Sequence, residues 1–161
     1  MSVATETPSA ESQAPQAGGP TPEQMAMWQK IAAPGAAHDV LKPVIGTFRA
    51  EVTFFMPGMP DGQCSQGTMV NSSVLGGRYV EMRYQGDGDC MQGIGFVGYD
   101  NVKRKYTGLW MDTMSTQIMV SEGSIDAAGK VITQECDVEC PMQGKQHMRT
   151  VTTIVDENRH T

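Results

Sequence analysis

No stretch of this sequence approaches the ~20 consecutive apolar residues that a membrane-spanning helix needs. The opening Met1-Ser2-Val3-Ala4-Thr5-Glu6 also lacks the basic and apolar regions of a secretory signal, so the expected compartment is the cytoplasm. Positive charge is sparse. The net charge is −6 at pH 7, and the basic residues are scattered apart from Lys103-Arg104-Lys105, which reads as a solvated turn. Nucleic acid and anionic membrane both call for a concentrated positive field, so neither is an expected partner. Cysteine is limited to Cys64, Cys90, Cys136 and Cys140. Without an export signal, free thiols are expected rather than two disulfides.

What is abundant is turn chemistry. The chain holds 18 Gly and 9 Pro in 161 residues, which favours many turns over long helices in one domain with a sizeable core. From Gly46 onward eight amphipathic segments follow one another: 47–56, 64–75, 78–85, 90–99, 104–112, 116–125, 130–139 and 146–155. Each is bounded by Gly, Asp, Asn or Pro, and this even spacing predicts an all-β antiparallel meander that curls into a sandwich or barrel. In the first segment Phe48, Ala50, Val52 and Phe54 alternate with Thr47, Arg49, Glu51 and Thr53, the pattern of a half-buried strand. Pro57 to Gly62 reads as the longest turn-rich connection. Val155 to Thr161 reads as a strand end entering a turn whose return strand is absent. On that reading the edges of the first and eighth strands stay unpaired, and a homodimer joined through the sheet edge is expected, or a monomer whose N-terminal helix covers the gap.

Residues 1–20 are small and polar, and they read as a disordered tail ahead of a single domain over 21–161. Thr21-Pro22-Glu23-Gln24 predicts a helix start, with Thr as N-cap, Pro at the first position and Gln completing a capping box. Met25, Trp28, Ile31 and Ala32 then fall on one face, and Pro34-Gly35 ends the helix.

Gly93-Ile94-Gly95-Phe96-Val97-Gly98 formally matches the dinucleotide-binding GxGxxG. That motif must join a strand to a helix, whereas Lys105 to Met111 reads as a further strand. Glycines inside a strand instead mark curvature or the close approach of another segment. Cys136 and Cys140 stand about 13 Å apart on a regular strand, at ~3.3 Å per residue, too far to share one ion. No metal and no cofactor is expected. None of His38, His147 and His160 lies in a nucleophile motif, and His38 suits a capping role at a first helical turn.

Ala33-Pro34-Gly35, His38, Gly46-Thr47-Phe48, Leu75-Gly76-Gly77-Arg78-Tyr79, Gly98-Tyr99-Asp100, Lys105-Tyr106, Ser121-Glu122-Gly123 and Val151 to Asp156 together resemble the DUF1579 family, over residues 22 to 161. The resemblance implies a small lipocalin-like up-and-down barrel of about ten strands, eight of them visible here. Members usually continue through two more strands beyond the position of Asp156. No catalytic residue is implied.

A small barrel either fills its interior with side chains or keeps room for one ligand. The expected ligand-facing residues are Phe48, Val52, Phe54, Met82, Tyr84, Phe96, Tyr106 and Trp110, with Val80 and Ile94 on the same apolar faces. Arg78 or Arg149 is the expected anchor for an anionic head group. The expected function is non-enzymatic binding of a small apolar or amphipathic molecule. The alternatives are an isomerase or hydrolase using Glu81, Glu122, Asp112 or His147 as acid or base, and a structural domain without a ligand.

Overall fold

The computed structural model describes residues 19–56, 59–88 and 91–161. Its body is one antiparallel sheet of eight strands in chain order: β1 (Gly46–Met56), β2 (Met59–Val74), β3 (Tyr79–Gly86), β4 (Gln92–Asp100), β5 (Lys105–Asp112), β6 (Met119–Ile125), β7 (Val131–Cys140) and β8 (Gly144–Thr153). The sheet curls into a half-barrel, and β1 and β8 are not paired with one another. All eight expected strands are present. The GxGxxG match lies wholly inside β4 and leads to a strand, as its context required.

Most boundaries shift by one or two residues, and three of the differences have a local reason. Residues 59–62 belong to β2 rather than to a long loop, with Met59 paired to Met56; Pro57 and Gly58 lie outside the described residues. Pro60 is tolerated there because β2 meets β3 only from Gly67 onward, so the start of β2 is a ribbon paired on one side. β6 starts at Met119 rather than 116; ahead of it the Gln117 side chain takes the place of a ladder pair. Its Nε2 donates to Glu139 O at 2.6 Å and its Oε1 accepts from Glu139 N at 3.2 Å. β8 stops at Thr153, and the chain then reverses over Asp156 to Arg159. Thr153 and Thr161 exchange backbone hydrogen bonds at 2.7 and 3.0 Å, and Ile154 bridges His160, so the chain folds back onto the end of β8 where no return was expected.

Two short helical turns plug one end of the inner face. Helix α2 (Ala36–Asp39) and the 3-10 turn Lys42–Val44 place Leu41 and Val44 against Val80, Val97, Tyr106, Ile132 and Ile154, which form the buried core. The plug is tied down at two points: the Tyr106 hydroxyl donates to Ala37 O at 2.9 Å, and Asn71 Nδ2 donates to Val44 O at 2.7 Å. His38 is buried; its Nδ1 accepts from Gly35 N–H at 3.1 Å, the capping role its position suggests.

Helix α1 (Pro22–Ala32) begins with the expected capping box: Gln24 N donates to Thr21 Oγ1 at 3.2 Å and Thr21 N to Gln24 Oε1 at 2.8 Å. Its apolar stripe stays partly uncovered. Met25, Trp28 and Ile31 are all exposed, and no α1 residue is buried. Only the C-terminal end is held, by Arg78 Nε donating to Ala32 O at 2.8 Å and Asn101 Nδ2 donating to Ile31 O and Ala33 O at 2.9 and 2.8 Å. The helix is thereby fixed at the β2–β3 and β4–β5 turns.

Candidate functional site

The curl of the sheet leaves a cavity of about 420 Å³ between the inner face and the plug. It follows from register. Residues opposite one another in an antiparallel ladder share a face, so the inner face carries Asn71, Met82, Gly95, Trp110 and Met119 in one row. A second row carries Gln134 and Thr150 on β7 and β8 beside Gly123 of β6. Leu41 and Val44 close one end, and Met69, Met148, Ser121, Cys136 and His160 complete most of the wall.

The glycines of β4 make room for the largest of these side chains. A Cβ added at Gly93 would lie 2.2 Å from Trp110 Cζ2, and one added at Gly95 would lie 2.6 Å from Trp110 Cε3. The indole therefore lies flat across two residues without side chains, and its Nε1 donates to Asp112 Oδ2 at 2.9 Å. This is the close approach that strand glycines signal.

Of the residues expected to face a ligand, Met82 and Trp110 border the cavity from the inner face. Phe96 also borders it, but it stands opposite Glu81 and Leu109 and alternates with Gly95, so its side chain belongs with Ile94 to the other face of β4. Phe48 lies on the inner face of β1 with its ring edge-on to His160, the centroids 4.5 Å apart. Val52 shares that face further along the strand and is half-buried, while the Phe54 side chain lies outside the described residues. Tyr84 is buried, with its ring at Gly67. Tyr106 belongs to the core beneath the plug, not to the cavity wall. Ile94 alternates with Gly93 and Gly95 and lines a depression on the other face with Val70, Arg83 and Met111.

The two expected arginine anchors are elsewhere. The Arg78 guanidinium is committed to Ala32 O and, at 3.0 Å, Leu75 O. Arg149 sits opposite Glu135, alternates with the cavity residues Met148 and Thr150, and is exposed. None of the four acid–base candidates borders the cavity, and each already has a partner. Glu81 accepts from Arg83 at 2.6 Å, Glu122 is paired with Lys103 and Lys105, and His147 meets Asp137 at 2.9 Å. Asp112 accepts from the Trp110 indole and from Met114 N at 2.9 Å. The Lys103 and Lys105 pairing holds the Glu122 carboxyl below its ordinary range, with the Lys103 hydrogen bond the larger cause. Among the described residues, no group of three or more His, Cys, Asp or Glu is arranged to hold a metal ion.

Of the polar side chains that do line the cavity, Asn71 and Gln134 were not singled out in the sequence, and His160 was weighed there only as a base for nucleophilic catalysis. Asn71, Gln134 and His160 each present a buried polar atom without a hydrogen-bond partner: Oδ1, Nε2 and Nδ1 respectively. The signal for two of them was alternation. Asn71 is two residues from Met69, and Gln134 stands between Ile132 and Cys136 on the same face, so each is an amide on an otherwise apolar strand face. His160 lies beyond the last expected strand, where no period applied.

Burial pulls the His160 imidazole below its ordinary value. The unfolded chain then takes up the proton first, so this contribution is complete above about pH 6.5, the unfolded value, and is lost as pH falls through the lower folded value. Melting temperature should therefore drop between pH 7.5 and 5.5 by more in the native protein than in His160→Phe. Equal drops in the two proteins would contradict the assignment.

A curled antiparallel half-barrel with an apolar inner cavity defines the class of this protein. The chain belongs to the DUF1579 family, described as a protein of unknown function, whose model matches residues 33–161. Comparison with curated proteins finds no match.

Proposed function

We propose that this chain is a non-enzymatic, lipocalin-like binding barrel of the cytoplasm that holds one small apolar or amphipathic molecule in its inner cavity. The observation that carries the reading is the cavity itself: about 420 Å³, walled mainly by apolar side chains, with a few convergent polar atoms. That volume falls within the ~300–1,000 Å³ of small-molecule sites, and that balance of wall and polar groups is the one they share. Four methionines, Met69, Met82, Met119 and Met148, line it, and their flexible thioethers suit an adaptable apolar wall. Catalysis has less support, because none of the four acid–base candidates borders the space a substrate would fill.

Titration with Nile red, an uncharged environment-sensitive dye, tests the proposal. Trp28 is 55% exposed in α1, so a Trp28→Phe background leaves Trp110 as the sole indole reporter. Dye binding should quench Trp110 saturably, with a micromolar-range Kd, on the order of −8 kcal/mol. Ser121→Phe, which fills the cavity, should weaken binding about tenfold or more. Binding unaffected by Ser121→Phe, with Trp110 silent, would refute a cavity site.

A further inference from the structure

The cavity wall is apolar, yet it leaves both a hydrogen-bond acceptor and donors unmatched. Asn71 and Gln134 are 3% and 7% exposed. Asn71 uses its Nδ2 on Val44 O at 2.7 Å, which fixes the amide plane and leaves Oδ1 buried without a partner. Gln134 Nε2 is also unpartnered, and so is His160 Nδ1. Native interiors satisfy the great majority of buried polar groups, because an orphaned one loses its hydration and gains nothing in return. Two amides more than nine-tenths buried and open to one cavity point to a missing partner inside it.

Charge narrows what that partner can be. Among the described residues, no Asp, Glu, Lys or Arg side chain lines the cavity. Arg78 is tied to the Ala32 and Leu75 carbonyls, and Arg149 is exposed opposite Glu135. A carboxylate or ammonium entering this space would lose its water without meeting a counter-charge, a far larger penalty than burying a neutral polar group. Burial of His160 disfavours its charged form, so the imidazole does not supply a cation at neutral pH. Size sets the remaining limit: about 420 Å³ lies near the lower end of the ~300–1,000 Å³ of small-molecule sites.

We infer that the cavity selects an uncharged amphiphile with a carboxamide-type head, whose N–H donates to Asn71 Oδ1 and whose C=O accepts from Gln134 Nε2. The inference rests on the binding-barrel reading and adds the chemistry of the head group. A carboxamide offers both halves of what the wall lacks, and an alkyl chain fits the Met and Trp110 surface.

Competition against Nile red with four ligands of one tail tests it: decanamide, decanol, decanoate and decylammonium, at pH 7.5. Decanamide should displace the dye about tenfold or more tighter than decanoate and decylammonium, with decanol between them. Gln134→Leu should cut the preference for the amide over the alcohol while Nile red still binds. Gln134→Glu should move the preference toward decylammonium. Should Gln134→Leu fail to fold, the ligand series on the native protein still decides. Decanoate binding as tightly as decanamide, or all four binding alike, would overturn the inference and leave the binding-barrel reading standing. Failure of Nile red and of every ligand to bind would overturn both.

Discussion

Tyr106→Ala should lower stability by about 4 kcal/mol, the range for truncating a fully buried aromatic side chain. For a domain of this size that is a large fraction of the whole. The ring is 1% exposed, packs edge-on against Tyr99 with centroids 5.0 Å apart, and lies in the same core cluster as Leu41 and Val44 of the plug. Its hydroxyl also holds Ala37 O, so the residue joins the sheet to the segment that closes one end of the cavity. Tyr106→Phe keeps the ring and loses only that hydrogen bond, a cost of about 1 kcal/mol. Denaturant midpoints of the three proteins separate these contributions. If alanine proved no worse than phenylalanine, packing of the ring would not be what holds the plug.

Gly123→Ala should be the most damaging single methyl group that can be added to the sheet. Its Cβ would stand 1.8 Å from Thr133 O and 2.6 Å from Gln134 Cα. Both are backbone atoms of β7, which cannot turn aside as a side chain can, so the β6–β7 ladder has to open around the Gly123–Gln134 pair. The expected loss is about 3 kcal/mol, at the upper end for overpacking. Because Gln134 borders the cavity, its geometry should change as well. Gly35→Ala is the matched control: an added Cβ there meets nothing within 4 Å, and the cost should stay below about 1 kcal/mol. Amide hydrogen exchange across β6 and β7 should accelerate in Gly123→Ala alone. Unchanged protection there would mean that the two strands are more loosely joined than their register indicates.

Strand count and order were legible in the sequence, and so was facing in β1, because a two-residue period survives wherever one face is buried. The alternation of Phe48, Ala50 and Val52 with Thr47, Arg49 and Glu51 is kept in the burial of β1. The capping box at Thr21 was equally readable, since it depends only on neighbours in the chain. What the sequence left open were matters of long-range geometry. Arg78 alternates as a strand residue should, yet its guanidinium is drawn to the Ala32 carbonyl at the end of α1, 46 residues earlier. Arg149 follows the same period as its neighbours, and only the ladder to Glu135 reveals that its side of β8 is the outer one. The stripe of α1 obeys the helical period, but a period states which face is apolar and not whether anything covers it. Asn71 and Gln134 were passed over for a related reason. Polar residues on strands are ordinarily solvent-facing, and their importance appears only when the curl of the sheet puts them inside.

The most direct test of the cavity as the place where a small molecule is held is methyl NMR of the protein carrying 13C-methyl methionine, titrated with decanamide. Met69, Met82, Met119 and Met148 line the cavity, Met148 at its open side with 41% exposure, whereas Met27, Met114 and Met142 lie outside it and are 66%, 76% and 93% exposed. The first group should shift together along one saturable curve while the second stays in place. Shifts confined to the exposed methionines, or no saturable shift at any of the seven, would contradict the account.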